Sequence, residues 1–181
     1  IVSYLSGNDV QLEDIWRLMD IVWDELGCDD RDPAPEDLER FYSHPVWILN
    51  GLFVDNHSLS LNYREAIAKR ISQYFPDSSK RSVLDYGGGF GTLGRLISSK
   101  CPHTLVHIYE PYPVDLAVKK CQMMNTNISF VEEPKNEYDC LVALDVLEHV
   151  LDPLLLLKYM VYKVRKGGYL YLANNFNPVI K

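Results

Sequence analysis

The sequence predicts an α/β protein, a mainly parallel sheet with a helical section ahead of it, on three observations. From Ser82 onward, short apolar runs of strand length alternate with longer helical ones, the pitch of right-handed βαβ units. Between the first run and the helix after it stand clustered glycines, Gly87, Gly88, Gly89, Gly91 and Gly94, where an open α/β sheet turns its chain at the ligand crevice. The 181 residues are 47% apolar and 12% aromatic, enough for a sizeable core, which excludes intrinsic disorder.

Ahead of the sheet, Leu12, Ile15, Trp16, Met19, Val22, Trp23 and Leu26 recur at three- and four-residue steps. They predict an amphipathic helix from Asp9 to Leu26, stopped by Gly27. Cys28-Asp-Asp-Arg-Asp-Pro-Ala-Pro reads as a turn or linker, and Glu36 to Tyr42 as a short second helix. A third helix is expected from about Ser60 to Phe75, ending near Pro76. The expected organisation is a helical N-terminal section over residues 1–75 and an α/β domain over 76–181. Within the second part, five strands are expected at Val83 to Asp85, Leu105 to Glu110, Ile128 to Val131, Cys140 to Leu144 and Tyr169 to Ala173. Leu93 to Ser99, Val114 to Met124 and Leu154 to Val164 supply the intervening helices.

Charge and cysteine usage narrow the partners. The net charge is −7, yet residues 1–50 hold twelve acids against three bases, net −9, so the remainder is net +2. An acidic leading segment argues against a grip on a phosphate backbone, because such affinity comes from Lys and Arg displacing counterions. The four cysteines, Cys28, Cys101, Cys121 and Cys140, form no C-x-x-C pair and read as buried free thiols in a reducing cytoplasm. The richest apolar stretch, Val150 to Met160, is broken by Asp152, Pro153 and Lys158, so no membrane span is expected. The chain opens on Ile without a basic-then-apolar leader, consistent with a trimmed start.

Two readings of the glycine loop compete. Gly89, Gly91 and Gly94 spell G-x-G-x-x-G with Glu110 beyond them, the bare pattern of a nicotinamide-dinucleotide site. Asp85, Gly87, Gly89 and Gly91 spell D-x-G-x-G-x-G instead, with the acid ending the strand. Gly88 and Gly94 serve in either case to permit the turn and close helix-to-strand packing.

The second phrase resembles motif I of the class I S-adenosylmethionine-dependent methyltransferases, and three further stretches continue the resemblance in order. Glu110 closes Leu-Val-His-Ile-Tyr-Glu as the family's acid after the second strand. Asp145-Val-Leu-Glu-His-Val follows the fourth strand and leads to Asp152-Pro153, and Arg165-Lys-Gly-Gly enters the fifth. Together they cover about residues 81–174. The resemblance implies a Rossmann-like sheet of the class I type and S-adenosyl-L-methionine as cofactor. It implies cofactor contacts from Asp85, Gly87, Gly89, Gly91, Glu110 and Asp145, with Glu110 on the ribose. Phe90, Tyr109 and Tyr112 are expected to border the cofactor or to pack. The family's adenine acid lacks a clear counterpart in Glu132-Glu-Pro-Lys-Asn-Glu-Tyr, where Glu132 or Glu133 is the substitute. A full class I sheet has seven strands, so the final strands are expected to be absent from this segment.

The implied function is methyl transfer to an O or N atom of a small-molecule acceptor. A non-catalytic cofactor-binding scaffold and a nicotinamide-dependent oxidoreductase are the alternatives. His149, in the turn near the cofactor mouth, is the candidate base, since an imidazole takes a hydroxyl or ammonium proton near neutral pH. Asp145, Glu148 and His149 stand at i, i+3 and i+4, and on a helix they would project together as an alternative metal site. The helical section is the expected acceptor lid, its Phe41, Tyr42, Trp47, Phe53 and Tyr63 either lining an apolar pocket or forming core.

Overall fold

The computed structural model describes residues 10–29, 33–75, 80–124, 127–135 and 137–176. Asp9, Pro76 and the middle of the expected linker, residues 30–32, lie outside them. The chain divides into two compact units, Ile1–His57 and Ser58–Lys181.

The first unit is helical: α1 (Leu12–Glu25), α2 (Pro35–Tyr42) and α3 (Val46–Val54). Gln11 N–H donates to Asp14 Oδ2 at 3.0 Å, closing the start of α1, and Glu13 and Asp14 place negative charge where the helix dipole favours it. The predicted apolar stripe of α1 buries Ile15, Leu18 and Val22. Leu18, Val22, Phe41 and Val46 form the core of this unit, with Trp23, Tyr42 and Trp47 packed against them. The Phe41 ring meets Trp23 edge-on at 5.0 Å and Trp47 at 5.5 Å, while Phe53 stacks on His57 at 4.7 Å. Phe41, Tyr42 and Trp47 are thus core rather than pocket lining in this unit.

The second unit opens with α4 (Ser58–Ser72), whose buried Ile67, Ala68 and Ile71 share one core with Val83, Leu93 and Ile97. This helix therefore belongs with the sheet, eighteen residues ahead of the expected boundary at residue 76. The elements that follow are β1 (Arg81–Tyr86), α5 (Thr92–Lys100), β2 (Thr104–Tyr109), α6 (Asp115–Gln122), β3 (Ile128–Phe130), β4 (Tyr138–Leu144), α7 (Pro153–Lys163) and β5 (Val164–Ala173). All five strands pair in parallel in the order β3-β2-β1-β4-β5, so the chain reverses direction across the sheet between β1 and β4.

Alternation along the strands separates two apolar layers. Val83, Val106, Ile108, Cys140 and Val142 face one core with α4, whereas Leu84, Leu141 and Ala143 face another with Met160 of α7. At the opposite end from the glycine loop, Asp139 ties three strands together. Its carboxylate accepts from Arg81 Nη1 at 3.0 Å, Ser82 N–H at 2.8 Å and Arg165 Nε at 2.8 Å. The Arg165-Lys-Gly-Gly stretch, expected as a turn entering the fifth strand, lies inside β5, where the register shifts opposite Tyr138 and Cys140 and Gly167 takes φ +79°. Tyr74, just beyond α4, stacks on Tyr169 of β5 at 4.2 Å, so α4 runs antiparallel to the strands and presents its first turns at their carboxyl ends. Among the described residues, no helix is long and apolar enough to cross a membrane.

Candidate active site

The carboxyl ends of β1, β2 and β4 assemble the residues singled out in the sequence. Gly87 and Gly88 donate their N–H groups to the Tyr109 carbonyl at 2.8 and 3.1 Å, so the glycine loop folds back over the end of β2. Gly91 N–H then donates to Gly88 O at 2.8 Å, tightening the turn before α5. A Cβ on Gly88 would stand 2.6 Å from Ile108 Cγ2, and one on Gly94 2.8 Å from Ile108 Cγ1. Both positions are close-packing glycines, as expected. Gly89 differs: its φ of +52° is a left-handed conformation, and a Cβ there would meet nothing within 4 Å. Its surface is open, whereas Gly87 and Gly91, also at positive φ and expected to meet the cofactor, are packed: a Cβ on them would stand 2.6 Å from Val146 Cγ2 and 3.0 Å from Ile108 Cδ1.

Asp85, 2% exposed, accepts Gly94 N–H on Oδ2 at 2.9 Å, joining the end of β1 to the first turn of α5. Burial pushes its carboxyl up to about 7, against the pull of the Gly94 amide and the Arg64 guanidinium. Glu110 accepts Gly89 N–H on Oε2 at 2.9 Å and Tyr112 N–H on Oε1 at 3.3 Å. Burial also raises the Glu110 carboxyl above its ordinary range. A carboxylate has roughly four lone-pair sites, about two of them unused by these amides. Phe90 is buried beneath the Arg95 and Lys120 cations, 5.9 and 5.7 Å from its ring, and Tyr109 packs on Tyr86 at 4.9 Å. Of the two acids weighed for the adenine, Glu133 is the one whose charge reaches Tyr109.

Beyond β4 the chain does not continue as an α-helix. Asp145 takes φ +53°, and a single 3₁₀ turn, Leu147–His149, follows it. The i, i+3, i+4 argument for a metal site therefore fails, because Asp145 stands outside the helical turn that would have aligned it with Glu148 and His149. Glu148 instead accepts Asn175 N–H at 2.9 Å. Among the described residues, no group of three His, Cys, Asp or Glu side chains is placed to hold a metal ion. Screening from water, and then the neighbouring Glu148 charge, push the Asp145 carboxyl above its usual range. His149 is exposed in this turn.

One contributor escaped the sequence reading. Arg64, on the first turns of α4, donates from Nη1 to Ser60 O at 3.3 Å, and its charge acts on both Asp85 and Asp145. Tyr63 beside it, expected as pocket lining or core of the helical section, feels Tyr171 of β5 and Asp145. Arg64 carried no motif, since only the antiparallel course of α4 brings these two residues to the carboxyl ends of the strands.

A family model described as a methyltransferase domain matches residues 60–177, which span the glycine loop, Glu110 and the Asp145 turn. The chain belongs to the class I S-adenosylmethionine-dependent methyltransferase family. The chain is 25% identical over 145 residues to the ubiquinone biosynthesis O-methyltransferase of Rickettsia canadensis (strain McKiel), covering 74% of this chain and 60% of the relative. With the enzyme of the same description from Shewanella sp. (strain ANA-3), it shares 29% over 138 residues, 70% of this chain and 56% of the relative. The chain thus spans less than two thirds of the length of these curated relatives. Among solved structures, an O-methyltransferase family protein from Burkholderia thailandensis superposes with a TM-score of 0.62 at 17% identity, over 88% of this chain and 51% of that one. Coclaurine N-methyltransferase, bound to N-methylheliamine and SAH, gives 0.61 at 17% identity, over 92% of this chain and 54% of that one. Both show this chain's fold, and family membership sets aside the dinucleotide reading of Gly89, Gly91 and Gly94.

Proposed function

We propose that the protein transfers the methyl group of S-adenosyl-L-methionine to an oxygen or nitrogen atom of a small-molecule acceptor. The observation that carries this reading is the pairing of Glu110 with Gly89. It sets a carboxylate with acceptor capacity to spare beside the open cradle at Gly89. Such an arrangement fits a ribose diol against the acid and the rest of the cofactor against the loop. Glu110 accepts the ribose hydroxyls, Gly89 allows close approach, Arg64 offers a cation to the cofactor's carboxylate, and Asp145 supplies negative charge facing its ammonium, while buried Asp85 and the packed Gly87 and Gly91 shape the loop from beneath. When bound, the cofactor supplies an electrophilic methyl group on a sulfonium.

The remaining work is alignment and water exclusion, because in-line displacement depends on the approach of the acceptor atom. His149 accepts the acceptor's proton where that atom belongs to a hydroxyl. The names of the curated relatives favour oxygen over nitrogen. The acidic helical section is proposed as the acceptor lid and favours a small or cationic acceptor over nucleic acid. The four cysteines, with no C-x-x-C pair among them, support a reducing, cytoplasmic setting.

Calorimetry of the chain with S-adenosylhomocysteine and with NAD tests the cofactor assignment, binding of NAD alone being the result that sinks it. A metabolite-library assay trapping the methylated product tests the transfer itself. Cofactor binding with no product from any acceptor supports the non-catalytic alternative.

A further inference from the structure

The turn that carries Asp145, Glu148 and His149 is fastened to the last residue of β5 and the two after it by four hydrogen bonds. Asp145 N–H donates to Ala173 O at 2.8 Å, continuing the β4–β5 ladder by one step. Val146 N–H and Leu147 N–H both donate to the side-chain Oδ1 of Asn174, at 3.1 and 2.9 Å. Asn175 N–H donates back to Glu148 Oε1 at 2.9 Å. Each segment thus contributes one side chain that satisfies backbone donors of the other, a reciprocal cap formed between two loops rather than within one helix.

The bonds fall where the backbone is least able to hold itself. Asp145 lies at φ +53°, a conformation a non-glycine residue keeps only when its surroundings enforce it. The 3₁₀ turn after it has three residues, with His149 N–H donating to Val146 O at 3.1 Å. One carbonyl oxygen, Asn174 Oδ1, meets the two amides at the head of that turn and so fixes both the reversal at Asp145 and the direction in which His149 leaves it.

We propose that Asn174 is a positioning residue of the methyl-transfer site, its side-chain carbonyl locking the Asp145–His149 turn to the end of β5. The proposal deepens the functional reading above and rests on it for the catalytic consequence. The lock itself stands apart from that reading.

The test compares wild type, Asn174→Ala and Asn174→Asp, the aspartate keeping an acceptor oxygen at the same reach. Turnover is measured on the acceptor that the product-trapping screen identifies. Asn174→Ala is expected to lower kcat about 10- to 100-fold, the scale on which small displacements of reacting groups act. KM for the acceptor and the S-adenosylhomocysteine dissociation constant should stay within about threefold, and Asn174→Asp should recover most of kcat. In parallel, hydrogen exchange at the Val146 and Leu147 amides should accelerate in the alanine variant and not in the aspartate one, with β1 and α5 unchanged. Should the alanine variant fail to fold, Asn174→Ser, with its shorter reach, carries the same expectation. Unchanged kcat in the alanine variant, or an aspartate variant as slow as the alanine one, overturns the positioning role. If wild type neither binds S-adenosylhomocysteine nor transfers methyl, it is the functional reading that fails, and the exchange measurement decides the lock alone: unaltered exchange at Val146 and Leu147 overturns it.

Discussion

Gly89 donates its backbone N–H to Oε2 of Glu110 at 2.9 Å, tying the crest of the glycine loop to the residue just past β2 across 21 positions of sequence. The bond aligns the carboxylate before any ligand arrives. Replacing Glu110 with Ala should weaken S-adenosylhomocysteine binding by about 1–3 kcal/mol, the range for losing a charged hydrogen-bond partner. Glu110→Gln should fall between Ala and wild type. Calorimetry reads the effect, and equal affinity in all three proteins would remove Glu110 from the site.

The glycines should separate by what surrounds them. Gly88→Ala and Gly94→Ala push a methyl to 2.6 and 2.8 Å from Ile108, so overpacking should cost about 1–3 kcal/mol and lower the melting temperature. Gly89→Ala meets no neighbour and pays only the left-handed strain, about 1–2 kcal/mol. Its larger effect should be on ligand affinity. Thermal melting beside calorimetry distinguishes the two classes, and a Gly89→Ala protein that binds like wild type would deny the cradle.

Asp85 should give stability an unusual slope with pH. Its carboxyl is raised from 3.8 to about 7 in the folded protein. The folded state therefore holds a proton that the unfolded state has released, and this contribution is complete below about pH 4 and lost as pH rises through about 7. Between pH 5 and pH 8, wild type should lose on the order of 1–3 kcal/mol relative to Asp85→Asn. Urea unfolding at the two pH values measures the difference, and parallel slopes in the two proteins would contradict it.

His149→Ala should lower turnover on a hydroxyl acceptor roughly 10²- to 10⁴-fold, with S-adenosylhomocysteine affinity nearly unchanged. A chelator should leave wild-type turnover intact. Inhibition by chelator reversed by Mg²⁺ would reinstate a metal at the turn despite its geometry.

What the sequence revealed and what it concealed divide along physical lines. All five strands were legible because the apolar alternation and the glycine punctuation are local. Helix α3 was not, because Val-Trp-Ile-Leu-Asn-Gly-Leu-Phe-Val is apolar on every side and shows no helical period. Helix α4 was found, but its membership was misplaced, since burial of Ile67, Ala68 and Ile71 against the sheet depends on tertiary pairing. At the site, the acids and glycines stood out as motifs. Arg64 and Asn174 did not, because their meaning comes from the course of α4 and from β5 lying next to β4. The alternative metal cluster does not assemble for the converse reason: its spacing suits an α-helix, and Asp145 stands at φ +53°.

The reversal of strand order between β1 and β4 has an evolutionary consequence. Three register pairs, Val83 with Cys140, Leu84 with Leu141 and Asp85 with Val142, form the seam between two halves of the sheet. On one side of it lie the glycine loop and Glu110; on the other lie Asp145, His149 and Asn174. In the function proposed above, changes around His149 on the β4–β5 side alter what is offered to acceptors, while Glu110 and the glycine loop on the β1–β2 side go on holding the methyl donor and Asp145 serves it from across the seam. A lineage built on this seam can diversify its products without having to reinvent its reagent.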